Sequence, residues 1–264
     1  MDIAGKRIWI TGASSGIGRG LALALAKEGA KLILSGRNEA ALAEVAAACP
    51  GSEVLAFDAA DLAALPGVVA KAESGGPIDM LVNNAGIGAR GLARDVQFDV
   101  YRRVMEVDFF APLRLTQLVL PAMRKRGSGH LVAVSSLSGK FGNPGATAYC
   151  AAKFALTGYF DALRSEVAHE GIAVTVITPG FVKTAIGKSS LGPDGKPHGQ
   201  GSPADRGIDT DEAAQQIVDG FKAGKREIPV GRGPEMAVLD LLRSNPDQVF
   251  DLMAGMGAQM AKDA

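Results

Sequence analysis

The chain has 264 residues, 47% of them hydrophobic, enough for one large domain or two small ones around a sizeable core. Its 28 basic and 28 acidic residues cancel, which removes the bulk electrostatic case for a nucleic-acid or anionic-membrane partner. Two cysteines, Cys49 and Cys150, make no disulfide framework and suit a reducing compartment. The opening MDIAGKRIWITG has no apolar signal core, and runs such as LALALA at 21–26 fall far below the roughly 18 residues of a membrane span. A cytoplasmic protein is expected.

In chain order, short aliphatic runs alternate with Ala/Leu-rich segments of helical period. The runs are RIWIT (7–11), KLILS (31–35), EVLAF (53–57), DMLVN (79–83), HLVAVS (130–135) and IAVTVIT (172–178); GRGLALALAKEG and NEAALAEVAAAC are examples of the helical segments. Continuous apolar runs read as parallel strands buried on both faces, and the alternation predicts right-handed crossovers. No internal repeat or linker divides residues 1–180. After Pro179, residues 187–207 are rich in Gly, Pro and Ser and predict a mobile loop. A helix (DEAAQQIVDGFKAG) and a short strand (REIPV) follow, then a tail, 234–264, of two amphipathic segments split by Asn245-Pro246. The expectation is an α/β fold: one doubly wound Rossmann domain over 1–264, about seven parallel strands, helices on both faces and a C-terminal helical extension.

TGASSGIG (11–18) joins the first strand to the first helix, with glycines at 12, 16 and 18. Residues without Cβ let the backbone turn sharply and let a pyrophosphate approach the helix N-terminus, where amides and dipole favour negative charge. The bland reading is a tight turn. The strand–turn–helix context favours a dinucleotide site, although the spacing is not the common G-x-G-x-x-G. The second strand ends LSGRN, so Gly36 and Arg37 stand where an NAD site places a carboxylate on the ribose 2′-hydroxyl. No acid is there to repel a 2′-phosphate, and a guanidinium is available to clasp it, with Ser14 as an extra donor. A solvated loop arginine is the dull alternative; NADP(H) is expected over NAD(H).

FGNPGATAYCAAKFA (141–155) places Tyr149 and Lys153 four apart after a Gly/Pro-rich loop, hence on one helix face. They form either an ordinary surface pair or a tyrosine held beside a cation. Ser136, in VSSLSG after the fifth strand, lies 13 residues earlier, at the carboxyl end where open α/β sheets bind ligands.

Together these motifs resemble the classical short-chain dehydrogenase/reductase family. TGASSGIG, NNAG (83–86), SS with YCAAK, and PG with a following Thr fall in the family's order and spacing across residues 5 to about 185. The resemblance implies that Tyr149 is the acid/base, Ser136 orients the substrate oxygen, and Lys153 lowers the tyrosine pKa and holds the nicotinamide ribose. It implies phosphate-side contacts from Gly12, Ser14, Ser15, Gly16, Ile17 and Gly18. Arg37 and Asp58 would sit on the adenosine, with Asn83, Ala85 and Gly86 at the next strand end. Pro179, Gly180, Val182 and Thr184, with Tyr149 and Lys153, would complete the nicotinamide side. Bringing tyrosine from ~10 to ~7 takes about 4 kcal/mol, and a cation ~4 Å away supplies about that at an effective dielectric of ~20.

One position departs from the family. In VMEVDFFAPL, Asp108 stands where the family has an asparagine whose main-chain carbonyl holds a water linking the lysine to solvent. An ionised Asp108 near Lys153 would favour the charged lysine and alter the pH profile. His130, His169 and His198 show no metal-ligand spacing, and no metal is expected. The small thiol of Cys150 and the indole of Trp9 read as core.

The expected activity is interconversion of a secondary alcohol and a ketone or aldehyde, with residues 187–207 as the substrate loop. The chain resembles the hydroxysteroid-dehydrogenase and carbonyl-reductase branch, sharing its long tail after Thr184. A 3-oxoacyl thioester reductase is the rival in the same fold; a non-catalytic NADP-sensing or scaffold protein is the rival from another class. The family's usual contacts imply a homodimer or homotetramer.

Overall fold

The structure, a computed structural model, describes residues 2–262. Seven parallel strands form one sheet: β1 Arg7–Thr11, β2 Lys31–Ser35, β3 Glu53–Val54, β4 Met80–Asn83, β5 Gly129–Val134, β6 Ile172–Pro179 and β7 Glu227–Val230, in the order β3-β2-β1-β4-β5-β6-β7. The order reverses at β1 and β4, and there the crossover loops part to leave a crevice at the strand carboxyl ends. EVLAF is expected as a full strand but is regular only over β3. At the sheet edge it has one neighbour, and pairing continues only as Leu55 N–H to Leu34 O and Phe57 N–H to Gly36 O.

Strand alternation explains the two cores. Ile8, Ile10, Leu32, Leu34, Met80 and Val82 point to one face, under Leu21 and Leu25 of α1 (Gly16–Lys27), Leu42 of α2 (Glu39–Ala47) and Ile217 of a later helix (Thr210–Lys222). Trp9, Ile33, Leu81 and Leu131 point to the other face. There they meet Leu65 of α3 (Leu65–Ser74), Leu115 of α5 (Ala111–Arg126) and Phe160 of α6 (Thr147–Val167). With apolar neighbours on both sides, the central strand residues are driven inward, which is why the strands carry no polar alternation. The one indole is held at both ends: Trp9 Nε1 donates to Ser35 Oγ at 2.9 Å, and its ring meets Phe57 edge-on.

α4 (Phe98–Met105) runs into α5 through a π-helical turn, Glu106–Phe110. Such bulges turn a side chain off the regular helical register; here the displaced residue is Asp108. The segment 187–207 carries more structure than its composition predicts. α7 (Ile186–Ser189) is followed by Leu191, whose N–H donates to Gly88 O and whose carbonyl accepts from Arg90 N. The buried Leu191 side chain packs with Ala89, Val104, Ala148 and Ala152. α8 (Thr210–Lys222) leads to β7, and the tail forms α9 (Ala237–Ser244) and α10 (Pro246–Lys262), broken at Asn245-Pro246 as expected. Its side chains Leu239, Leu242, Val249 and Met253 pack with Leu137 and Phe141, so the tail buttresses the loop ahead of Tyr149. Among the described residues, no helix is long and apolar enough to cross a membrane.

Candidate active site

The crevice at the carboxyl ends of β1, β4 and β5 is a cleft of about 370 Å³. One wall is the turn after β1. Gly12 (φ +67°) and Gly16 (φ +55°) adopt the left-handed backbone that side chains disfavour. Ser15 caps α1 without a side-chain hydrogen bond, and the first turn carries no acid, so the helix N-terminus presents bare amides to the cleft. Gly18 does not line the cleft. A Cβ there would collide with the Gly12 carbonyl and the Asn84 amide, so its glycine character serves packing behind the turn.

The structure brings nearly all the expected positions to this cleft. Ser14, Ser15, Gly16, Ile17, Arg37 and Asp58 line one end; Ala85, Gly86, Ser136, Tyr149, Lys153, Pro179, Gly180, Val182 and Thr184 line the rest. Asn83 is placed elsewhere: it is the last residue of β4, 2% exposed, and its Nδ2 donates to Thr116 Oγ1 at 3.3 Å. Its neighbour Asn84 faces the cleft instead. Strand parity could have shown this, since Asn83 follows Leu81 onto the α5 side. Asp108 also lies behind the wall, fully buried.

Residue-level reading of the sequence missed Asn84, Phe57, Ile87, Arg103 and Val107, all on the lining. Asn84 sits inside the quoted NNAG motif. Arg103 and Val107 are one turn apart on the stretch through α4, a spacing that signals a shared face once one of them is known to be in the site.

The three chemistry-bearing groups converge. Lys153 Nζ lies 5.5 Å from the Tyr149 ring centroid and donates to Val134 O at 3.1 Å. Ser136 Oγ accepts from Ser138 N at 3.1 Å, which fixes the hydroxyl at the mouth of β5, on the same cleft as Tyr149. Ser135 Oγ bonds Lys153 O and Thr157 Oγ1, pinning α6 beneath the site. Asn143 N–H donates to Cys150 Sγ at 3.3 Å, so Cys150 holds the incoming loop; burial pushes its thiol up, away from reactivity.

The Asp108 side chain joins this group from behind. Its Oδ1 accepts from Ile87 N at 2.8 Å, and Oδ2 lies 3.1 Å from Lys153 Nζ, in ion-pair contact. Burial pushes the carboxyl up, while the ammonium and the Ile87 amide pull it down. Lys153 is held above the ordinary lysine value: burial works against its charge, but Asp108 and then Tyr149 outweigh it. Lys153 does pull the Tyr149 phenol down, as expected, but it does not set the net direction. Burial raises Tyr149 above its ordinary value; Lys153 pulls down against it, and Asp108 pushes up.

Comparison with known proteins agrees with this geometry. The family described as short chain dehydrogenase matches residues 6–193. Dehydrogenase/reductase SDR family member 7B of Mus musculus is 39% identical over 96% of this chain and 81% of its own. The SDR family protein 7-like of Anopheles gambiae is 36% identical over 94% and 82%. A short-chain dehydrogenase from Streptomyces avermitilis superposes with TM-score 0.81 at 30% identity, covering 99% of each chain. Short-chain dehydrogenases from Burkholderia phymatum, in complex with NAD, and Burkholderia cenocepacia, in complex with NADP, share the fold at TM-scores of 0.82 and 0.81 and 22% identity; they cover 94% and 96% of this chain and 96% and 99% of their own. The chain belongs to the short-chain dehydrogenase/reductase family and is an oxidoreductase acting on CH–OH groups with a nicotinamide dinucleotide.

Proposed function

We propose that the enzyme uses NADP(H) and interconverts a secondary alcohol and a ketone or aldehyde. The observation that carries the cofactor choice is Arg37. It lines the cleft at the end of β2, with no carboxylate at Gly36 or Arg37 to bond a ribose 2′-hydroxyl. Ser14 Oγ lies beside Gly36, where a Cβ would stand 3.4 Å from it. A guanidinium and a hydroxyl thus flank the place of a 2′-phosphate.

The glycine turn, the uncapped start of α1 and the open cleft fit a dinucleotide, which when bound supplies or accepts the hydride. Tyr149 gives its proton to the carbonyl oxygen in reduction and takes it back in oxidation. Ser136 donates to the same oxygen and sets its position between hydroxyl and phenol. Lys153, anchored on Val134 O, stabilises negative charge on the phenol oxygen as the proton leaves.

Residues 187–207 form the substrate wall, since Ser189 and Ala204 line the cleft from that side, next to Ile186. The subunits associate as a homodimer or homotetramer in the cytoplasm. The test is kcat/KM for NADPH and NADH against a panel of ketones, aldehydes and 3-oxoacyl thioesters, with the Arg37→Glu variant alongside. The expected result is an NADPH preference that the variant cuts at least tenfold, about 1.4 kcal/mol, with NADH spared. An NADH preference in the unaltered enzyme sinks the reading.

A further inference from the structure

Catalytic tyrosine chemistry depends on the net charge beside the phenol, and in this chain that charge is not simply a lysine. Asp108 is fully buried, its Oδ2 is 3.1 Å from Lys153 Nζ, and its Oδ1 is tied to the Ile87 amide. Gly86 packs against both groups: a Cβ there would lie 2.9 Å from Asp108 Oδ2 and 3.4 Å from Lys153 Nζ. The carboxylate belongs to the π-helical turn at Glu106–Phe110. The ammonium is therefore the positive half of an ion pair, and its pull on a phenolate is weakened by the carboxylate behind it.

We propose that Asp108 offsets the charge of Lys153 where Tyr149 feels it, keeping Tyr149 as a proton donor and favouring the reductive half of the reaction, carbonyl to alcohol, at neutral pH. Asp108 is a positioning residue in this scheme, acting on the phenol through Lys153. In reduction the carbonyl carbon accepts a hydride from the reduced nicotinamide, which is thereby oxidised by two electrons. The carbonyl π bond breaks, and the oxygen takes the phenolic proton. The resulting phenolate, held beside an ion pair, is strongly basic and recovers a proton from solvent. Oxidation needs that phenolate at the outset, which the arrangement withholds until the solution is alkaline.

The groups that face Tyr149 are few. Lys153 and Cys150 share its helix, Ser136 comes from the end of β5, and Asp108 comes from the π turn. Lys153 is faced by Asp108 and Tyr149. Among the described residues, the negative charge acting on Tyr149 from another element is that of Asp108.

The proposal rests on Tyr149 being the acid–base group, and its test needs no substrate. The chain has three tyrosines, so the ultraviolet absorbance of tyrosinate can be titrated in the unaltered enzyme and in Tyr149→Phe; the difference isolates Tyr149. The same pair is measured with Asp108→Asn in both backgrounds, over the pH range in which circular dichroism shows the fold intact. The expected Tyr149 midpoint lies above the free-tyrosine value of ~10, or beyond the folded range, and falls by about one pH unit or more in the asparagine variant. A midpoint below ~10 in the unaltered enzyme, or one that Asp108→Asn leaves in place, overturns the proposal. Should the asparagine variant fail to fold, Asp108→Ser is titrated in its place, with the same fall expected and an unmoved midpoint overturning the proposal. Turnover that survives Tyr149→Phe would instead remove the acid–base assignment, an outcome separate from the titration.

Discussion

Asn84 Nδ2 donates to Thr11 O at 2.8 Å, joining the end of β4 to the turn that follows β1. The same amide reaches Gly12 O at 3.2 Å, and Thr11 Oγ1 accepts from both Asn84 N and Ala85 N at 3.0 Å. The phosphate turn is thus held by side-chain bonds from the neighbouring strand at the point where the sheet order reverses. Preorganised amides bind an anion without first losing the entropy of ordering.

Asn84→Ala removes two of these bonds, each worth about 1 kcal/mol. The expected result is a loss of dinucleotide affinity of about tenfold or more, equal for NADPH and NADH because the turn is common to both. Fluorescence titration of the reduced nicotinamide measures it. Loss confined to NADPH would mean that Asn84 acts on the 2′-phosphate end.

Tyr149→Phe keeps the ring against Lys153 and deletes the proton. Turnover should drop by about 10²–10⁴-fold while dinucleotide binding stays within about twofold, since the phenol is not needed to hold the nucleotide's phosphates. Steady-state kinetics and fluorescence titration, run together, separate the two. Equal losses in both would assign Tyr149 to binding.

The wall formed by residues 187–207 hangs from Leu191. Lys196 beyond it is highly exposed and paired only loosely with Asp194, at 3.6 Å. Trypsin does not cleave the Lys196–Pro197 bond, so brief treatment should cut this wall first after the exposed Arg206, and more slowly when NADPH and a substrate order it. Leu191→Ala, which empties the pocket among Ala89, Val104 and Ala148, should open Lys188 to cleavage as well. Identical cleavage with and without ligands, read by mass spectrometry, removes the closing role.

His130 couples stability to pH at the far end of the sheet. It is 6% exposed, its Nε2 lies 2.8 Å from Thr175 Oγ1, and burial lowers its pKa to about 4. The unfolded histidine titrates near ~6.5, so between pH ~6.5 and ~4 the unfolded chain binds a proton that the folded chain refuses. Stability should be full above that window and fall by up to about 3 kcal/mol on descending through it. Denaturant melts of the enzyme and of His130→Gln check this: the variant should lose most of the slope between those pH values.

The sequence by itself determined the class of fold and most of the site. Uniformly apolar strands require cover on both faces, helical periodicity supplies that cover, and the order of TGASSGIG, NNAG, Ser136 and the Tyr149–Lys153 pair is local information that survives without coordinates. Even the break at Asn245-Pro246 is a local event, because proline cannot donate into a continuing helix. What tertiary structure decided is everything that depends on neighbours distant in the chain. Asn83 and Asn84 are adjacent letters with opposite fates, set by which face of β4 each side chain leaves. Gly18 is required by Gly12 and Asn84 as a packing partner, not by a phosphate. The Gly/Pro-rich wall is stitched to Gly88 and Arg90 through Leu191, which composition cannot show. Above all, Asp108 and Lys153 are 45 residues apart, and only the fold, closing the π turn against α6, makes them an ion pair. Charge effects scale with distance and burial, and neither quantity exists until the chain has folded.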